Sequence, residues 1–233
     1  MTPEEAKVLV ASVPHWHHAF EIYPGLVTPG TYDPSELFRR AVFPENLMGC
    51  RVLDIGTSDG YFSLQLARRG ARVVAIDYRR KQDHGYHVME ALNSPDIEYH
   101  QMNIYDLAGI NFGLFDIVLC MGVLYHLPDM LRALHLIRQC CRGAIYLETH
   151  SESEFCLEIS AARYYSGAAL AEDHTNFWAP NRLCIVDMLH DAGFDVERDE
   201  EWAPNRLLVV AKAVQTSGLR AQKMQLAYGL LGN

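Results

Sequence analysis

Arg51-Val52-Leu53-Asp54-Ile55-Gly56-Thr57-Ser58-Asp59-Gly60 is the stretch on which the fold turns. A short apolar run is closed by Gly56, and Tyr61 to Arg69 then has helical character. A second β-branched run, Arg72-Val73-Val74-Ala75-Ile76, closes on Asp77. Strand, glycine turn, helix, strand is the βαβ unit, whose parallel strands are buried on both faces and so read as continuous apolar runs.

The alternation continues outward. A helix is expected near His87 to Leu92, strands at Ile97 to Met102 and Phe115 to Met121, a helix at Met130 to Cys140 and a strand at Ala144 to Thr149. A helix at Arg182 to Ala192 stops at Gly193, a good residue just past a helix end. Two last strands, about Phe194 to Glu201 and Leu207 to Ala213, flank Ala203-Pro204-Asn205, a connection tight enough to make them an antiparallel pair. The sum is an open α/β sheet of about seven strands. Between the fifth strand and its helix lie residues 151–180, too long for a plain connection and rich in aromatics, which reads as a lid or substrate-side insertion.

Toward the N-terminus, Thr2-Pro3-Glu4-Glu5 carries a cap residue, a proline at the first helical position and Glu three residues after Thr, predicting a helix to about Val13. From Pro14 to Pro34 prolines and glycines predict loop, and Ser35 to Ala41 a short helix. The expected division is a helix and cap segment over 1–45, the main domain over 46–215 and a tail or docked helix over 216–233.

The 233 residues are 49% hydrophobic and 21% charged with a net charge of −9, which excludes collagen, coiled coil and disorder and makes nucleic acid an unlikely partner. No apolar run approaches a bilayer span, and Met-Thr-Pro-Glu-Glu lacks the layout of a signal peptide, so a soluble, cytoplasmic protein is expected. The six cysteines form no C-x-x-C pair and read as reduced and buried.

The chemistry begins at the glycine loop. In open α/β sheets ligands bind at the carboxyl ends of strands, where glycines let backbone approach closely. The spacing is G-x-x-x-G rather than G-x-G-x-x-G, and Asp54 leads the loop as an acid able to orient a cationic amino-acid moiety. Asp77 ends the second strand, where a carboxylate can accept from both hydroxyls of a ribose.

These residues resemble class I S-adenosylmethionine-dependent methyltransferases, with motif I at Val52 to Gly60 and its acidic partner at Asp77. Phe115 to Leu127, containing Met121-Gly122-Val123-Leu124-Tyr125-His126, together with Leu147-Glu148-Thr149 and Phe177-Trp178-Ala179-Pro180-Asn181, is similar to the tRNA wobble-uridine carboxymethyltransferase (CmoB-like) group and its shorter relatives. Trp16-His17-His18 with Thr28-Pro29-Gly30 is similar to those shorter relatives. The resemblance, over about residues 47–196, implies a Rossmann-like fold and S-adenosyl-L-methionine as cofactor. It puts Asp54, Gly56 and Gly60 toward the methionine part, Asp77 at the ribose, Asn103 and Ile104 at the adenine, and Met121 beside the sulfonium. Tyr125 matches a tyrosine that contacts the carboxylate of a carboxylated cofactor. The basic K-W-R-K-type stretch of the wobble-uridine enzymes has no counterpart here, so ordinary S-adenosyl-L-methionine is expected, with Arg206 the one candidate replacement cation.

Methyl transfer to a hydroxyl or amine needs in-line placement and a base. Histidine suits the second role, and His18, His126 and His150 are the candidates, at a segment over the sheet edge and at two strand ends. Trp16, His174, Trp178 and Arg206 are candidate acceptor contacts. Imidazoles at His15 and His17 share a face only in an extended segment and no second ligand pair follows, so no metal site is expected. The reading is methyl transfer to oxygen or nitrogen of a small-molecule acceptor. Its alternatives are a tRNA wobble-uridine-type modification and a non-catalytic cofactor-binding protein. The oligomeric state is not legible.

Overall fold

Thr2 starts the first helix, α1 (Pro3–Ala11), by the expected capping box: its hydroxyl accepts from Glu5 N–H, and the Glu5 carboxylate accepts from Thr2 N–H at 2.7 Å. The computed structural model describes residues 1–93, 95–154, 158–215, 223–224 and 226–229. The chain divides into two compact units, Met1–Asn103 and Ile104–Asn233.

In the first unit α1 is followed by β1 (Glu21–Tyr23), β2 (Leu26–Val27), α2 (Ser35–Ala41), β3 (Arg51–Ile55), α3 (Tyr61–Arg68), β4 (Arg72–Asp77), α4 (Tyr86–Asn93) and β5 (Ile97–Gln101). The segment expected to be loop holds a small hairpin: β1 and β2 pair antiparallel, and Gly25 turns the chain at φ +74°. Strands β3, β4 and β5 run parallel in that order, with Asp54 opposite Ala75 and Ala75 opposite Tyr99. Strand β3 is buried on both faces, whereas β5 keeps Glu98 and Gln101 exposed, as a sheet edge does.

The second unit contains β6 (Phe115–Met121), α5 (Met130–Cys140), β7 (Cys141–His150), β8 (Ala162–Tyr164), β9 (Trp178–Pro180), α6 (Arg182–Ala192), β10 (Phe194–Ala203) and β11 (Arg206–Ala213). Its strands of the main sheet, seven-stranded in all, are ordered β10-β11-β7-β6. Strand β6 is parallel to β7, while β11 is antiparallel to both β7 and β10, as the tight connection predicts. Strand β7 begins at Cys141, three residues before the expected Ala144, because the β6 register shifts there and Gly143 admits the Asp116 carbonyl: a Cβ on Gly143 would lie 2.1 Å from that oxygen. The 151–180 insertion is stapled by the antiparallel pair β8 and β9.

Part of the expected tail, including 216–222, and Cys156 lie outside the described residues. Within the tail, Tyr228 donates its hydroxyl to Asp129 at 3.3 Å. The described cysteines are free thiols, but only Cys120 and Cys141 are buried; Cys50, Cys140 and Cys184 are half-buried, a correction to the expectation that all are interior. Among the described residues no helix is long and apolar enough to cross a membrane.

Candidate functional site

The glycine loop of the first unit alternates left-handed and ordinary backbone, with Gly56 at φ +70°, Ser58 at +53° and Gly60 at +85°. Gly56 and Thr57 N–H groups both donate to the Ile76 carbonyl, fastening the loop to β4. The need for glycine at position 60 comes from packing: a Cβ there would meet Met89 Cε at 2.4 Å and the Tyr86 ring at 3.0 Å. The missing Cβ lets α4 close on α3.

Asp54 is 2% exposed, and its Oδ2 accepts from Thr57 Oγ1 at 2.8 Å and Ser63 Oγ at 2.6 Å. Burial pushes its carboxyl above the ordinary range against those bonds. Asp77, also buried, ends β4; Oδ2 accepts from Ser58 N–H and Oδ1 from Arg79 N–H, both at 3.0 Å. The Arg79 guanidinium adds only long contacts, 3.3 Å to Oδ1 and 3.4 Å to Oδ2. Two amide bonds therefore orient this carboxylate, and each oxygen keeps a direction filled by nothing stronger than a half-exposed guanidinium. That is the acceptor set a vicinal diol needs, so the residues present fit a ribose. Nearby, the Tyr86 hydroxyl is buried without a partner. Asn103 is exposed at the end of this unit.

Asp59 does not cap α3, whose N-cap is Gly60 with no side-chain bond. It turns to the N-terminal segment instead, where Oδ2 accepts from His17 N–H at 3.1 Å and His18 N–H at 2.8 Å and Oδ1 pairs with His18 Nδ1. Trp16 is buried, donates Nε1–H to the Val10 carbonyl at 3.1 Å and lies where a Cβ on Gly85 would meet its ring at 2.1 Å. It is a packing anchor, and its expected contact with an acceptor is withdrawn on that ground.

In the second unit, Gly122 (φ +70°) breaks the chain after β6 and donates its N–H to the Glu148 carbonyl at 2.9 Å. Met121 ends β6 half-buried, opposite Glu148, and Ile104 is buried at the start of the unit. Glu148, 1% exposed, binds Arg206 twice, Oε1 to Nε at 2.6 Å and Oε2 to Nη2 at 2.5 Å, and accepts from Trp202 Nε1 at 3.1 Å. The guanidinium lies 5.1 Å from the centre of the Tyr125 ring. Burial pulls the Arg206 pKa down, but the Glu148 charge and bonds raise it overall. Arg206 is thus half of a neutral pair, which corrects its expected role as a replacement cation. Glu148 as its partner is a residue the sequence reading missed, since the two lie 58 positions apart.

His126 lies in a 3-10 turn (Leu124–His126) after β6, not at the strand end as expected. Its Nδ1 lies 2.9 Å from Thr175 Oγ1, a hydroxyl whose proton is spent on Asp173 at 2.7 Å, so Nδ1 is the donor. His150 ends β7, and burial, then the Arg206 charge, pushes its pKa down. Trp178 donates Nε1–H to the Pro128 carbonyl at 3.1 Å and packs its ring 5.0 Å from that of Tyr164. His174 is exposed. Among the described residues no group of three His, Cys, Asp or Glu side chains is placed to hold a metal ion.

A buried, amide-oriented acid at the end of the second strand of a βαβ unit, beyond a glycine loop, defines the nucleoside-binding α/β class. A profile of the methyltransferase-domain family matches residues 16–198, and the chain belongs to that family. It is 34% identical over 126 residues to a ubiquinone biosynthesis O-methyltransferase of Xanthomonas oryzae pv. oryzae, covering 51% of this chain and 52% of that protein. It is 32% identical over 145 residues to the enzyme of the same name from Aeromonas salmonicida, covering 59% of this chain and 60% of that one. The matched stretch thus spans little more than half the length of these relatives. In fold, the chain is similar to the N-terminal domain of EvdMO1 crystallised with SAH, at TM-score 0.69 and 22% identity over 93% of this chain and 98% of that one. It is also similar to the Burkholderia thailandensis 1,6-didemethyltoxoflavin-N1-methyltransferase, at TM-score 0.59 and 16% identity over 78% and 77%.

Proposed function

We propose that this chain is an enzyme transferring a methyl group from S-adenosyl-L-methionine to an oxygen or nitrogen of a small-molecule acceptor. The observation that carries the reading is Asp77, buried and oriented by two amides at 3.0 Å beside the left-handed glycine loop. Asp77 would hold the ribose, Asp54 and the 56–60 loop the methionine part, Asn103 and Ile104 the adenine, and Met121 and Tyr125 would line the transferable group. When bound, the cofactor supplies a methyl group on a sulfonium, which leaves readily. The protein's task is then to align the acceptor and take its proton, and His18, His126 and His150 are the side chains of suitable chemistry.

The likeness to the shorter relatives of the wobble-uridine group is consistent with ordinary rather than carboxylated cofactor, because Arg206 is already neutralised by Glu148. Basic side chains between positions 69 and 81 are engaged locally: Arg80 pairs with Asp83 and Lys81 with Glu90, while Arg69 donates to the Phe43 carbonyl. With the net charge of −9 this favours a small acceptor over tRNA. Free thiols suit a reducing compartment, the cytoplasm.

Titration calorimetry with S-adenosylhomocysteine tests the reading. Binding by the wild type and a loss of at least about 100-fold in Asp77→Ala are expected, since two hydrogen bonds to a charged group are worth about 3 kcal/mol or more. Absence of binding, or binding indifferent to Asp77, would sink it. Salt-sensitive tRNA binding would favour the tRNA alternative, and binding without turnover over any acceptor the non-catalytic one.

A further inference from the structure

We infer that His18, oriented by Asp59, takes the proton during transfer, and that the atom methylated is a hydroxyl oxygen. This rests on the S-adenosyl-L-methionine reading above. Asp59 is a buried acid within the glycine loop and makes no helix-capping bond. All three of its described bonds go to one dipeptide: the amides of His17 and His18 on Oδ2 and the His18 ring on Oδ1. Burial pushes the Asp59 carboxyl up, but the bonds and charge of His18 bring it below the ordinary range overall. An ionised carboxylate only accepts, so Nδ1 carries a proton, and Nε2 is the ring nitrogen through which His18 can take up or release one. No described residue hydrogen-bonds Nε2.

The ring is also held in place by its backbone. Thr28 Oγ1 donates to the His18 carbonyl at 2.6 Å, Tyr32 N–H donates to the His17 carbonyl at 3.2 Å, and Gly30 packs against His18. Tyr32, Tyr61 and Phe62 surround the imidazole with ring centres 5.7, 5.9 and 6.1 Å away, an aromatic wall that keeps water few. The titratable groups around it are Asp59 and Tyr61 from the loop and α3, Asp54 from the end of β3, and His17 and Tyr32 from its own segment.

Chemistry selects the acceptor. A neutral amine attacks with its own lone pair and can lose its proton afterwards, whereas an unionised hydroxyl needs its proton removed as it attacks. An imidazole with a fixed tautomer and a buried counter-charge serves the second case. The hydroxyl oxygen bonds to the methyl carbon as the carbon–sulfur bond breaks. The bond pair stays on sulfur as a neutral sulfide, and the hydroxyl proton moves to Nε2, where Asp59 stabilises the imidazolium until it returns the proton to water. His18 is then the catalytic base and Asp59 its positioning residue.

The full chain is incubated with methyl-labelled S-adenosyl-L-methionine and a panel of phenols, alcohols and amines, with S-adenosylhomocysteine affinity measured in parallel. Labelled ether is expected from a hydroxyl compound. In His18→Gln its kcat should fall about 100-fold or more, with S-adenosylhomocysteine affinity within about 3-fold of wild type. Asp59→Asn should move the ascending limb of the kcat–pH profile to lower pH, because the imidazolium loses its counter-charge. Imidazole added to His18→Gly should restore part of the rate, which separates base chemistry from packing. Label only on nitrogen, no labelled ether from any hydroxyl compound, a His18→Gln rate near wild type, or a pH limb unmoved in Asp59→Asn would each overturn the inference. In each of these the calorimetry reports separately on the cofactor reading.

Discussion

Gly30 lies against the backbone of His18 so closely that a Cβ on it would sit 2.2 Å from the His18 carbonyl carbon and oxygen and 2.7 Å from Ala19 N. Backbone cannot yield as a flexible side chain can. Gly30→Ala is therefore expected to destabilise the fold by about 2–3 kcal/mol, in the range for overpacking, read as a lower urea midpoint at unchanged slope. Gly25→Ala offers the contrast, because nothing lies within 4 Å of its Cβ position and the penalty there comes from its φ of +74° alone.

Trp16 and Gly85 form a second such contact. Trp16→Ala should cost about 3–5 kcal/mol, the usual range for removing a buried large aromatic. Gly85→Ala should be destabilising for the opposite reason, since the added methyl enters the Trp16 ring. Near-ultraviolet circular dichroism would report the displaced indole in the second variant.

Glu148 and Arg206 predict a sign reversal on double substitution. Glu148→Gln leaves a largely buried guanidinium without its counter-charge and should cost about 3 kcal/mol, measured by urea unfolding. Arg206→Gln alone leaves the buried carboxylate and should cost a similar amount. The double variant should be more stable than either, because neither charge is then left unpaired. Additive losses would show that the pair contributes little.

His84 predicts acid lability. It is 3% exposed, and burial, then the Arg79 charge, pushes its pKa down to about 4. Its folded pKa lies below the unfolded value near 6.5, so the unfolded chain binds the extra proton between these limits. Stability should fall as pH drops from about 6.5 to 4, by up to about 3 kcal/mol from this residue. His84→Gln should flatten that slope in unfolding curves taken across the window, and an NMR titration should place the His84 midpoint near 4.

Read alone, the sequence determined the order of strands and helices. Strands such as Phe115–Met121 and helices such as Met130–Cys140 and Arg182–Ala192 fall where the pattern puts them, because hydrophobic period, caps and terminal glycines are local signals. The carboxylates Asp54 and Asp77 were legible for the same reason, each sitting at the end of a recognisable strand. The hairpin at β1 and β2 was not, since strands of three and two residues carry too little pattern to show against surrounding prolines and glycines.

Tertiary structure alone decided the partners. His18 meets Asp59 across 41 positions and Arg206 meets Glu148 across 58, and no local periodicity records either pairing. Those partners reverse roles read from residue type: Arg206 changes from a candidate replacement cation to half of a buried pair, and Trp16 from an acceptor contact to a core anchor. A side chain's charge and shape are written in the sequence, but its solvation and its counter-charge exist only once the chain has folded around it.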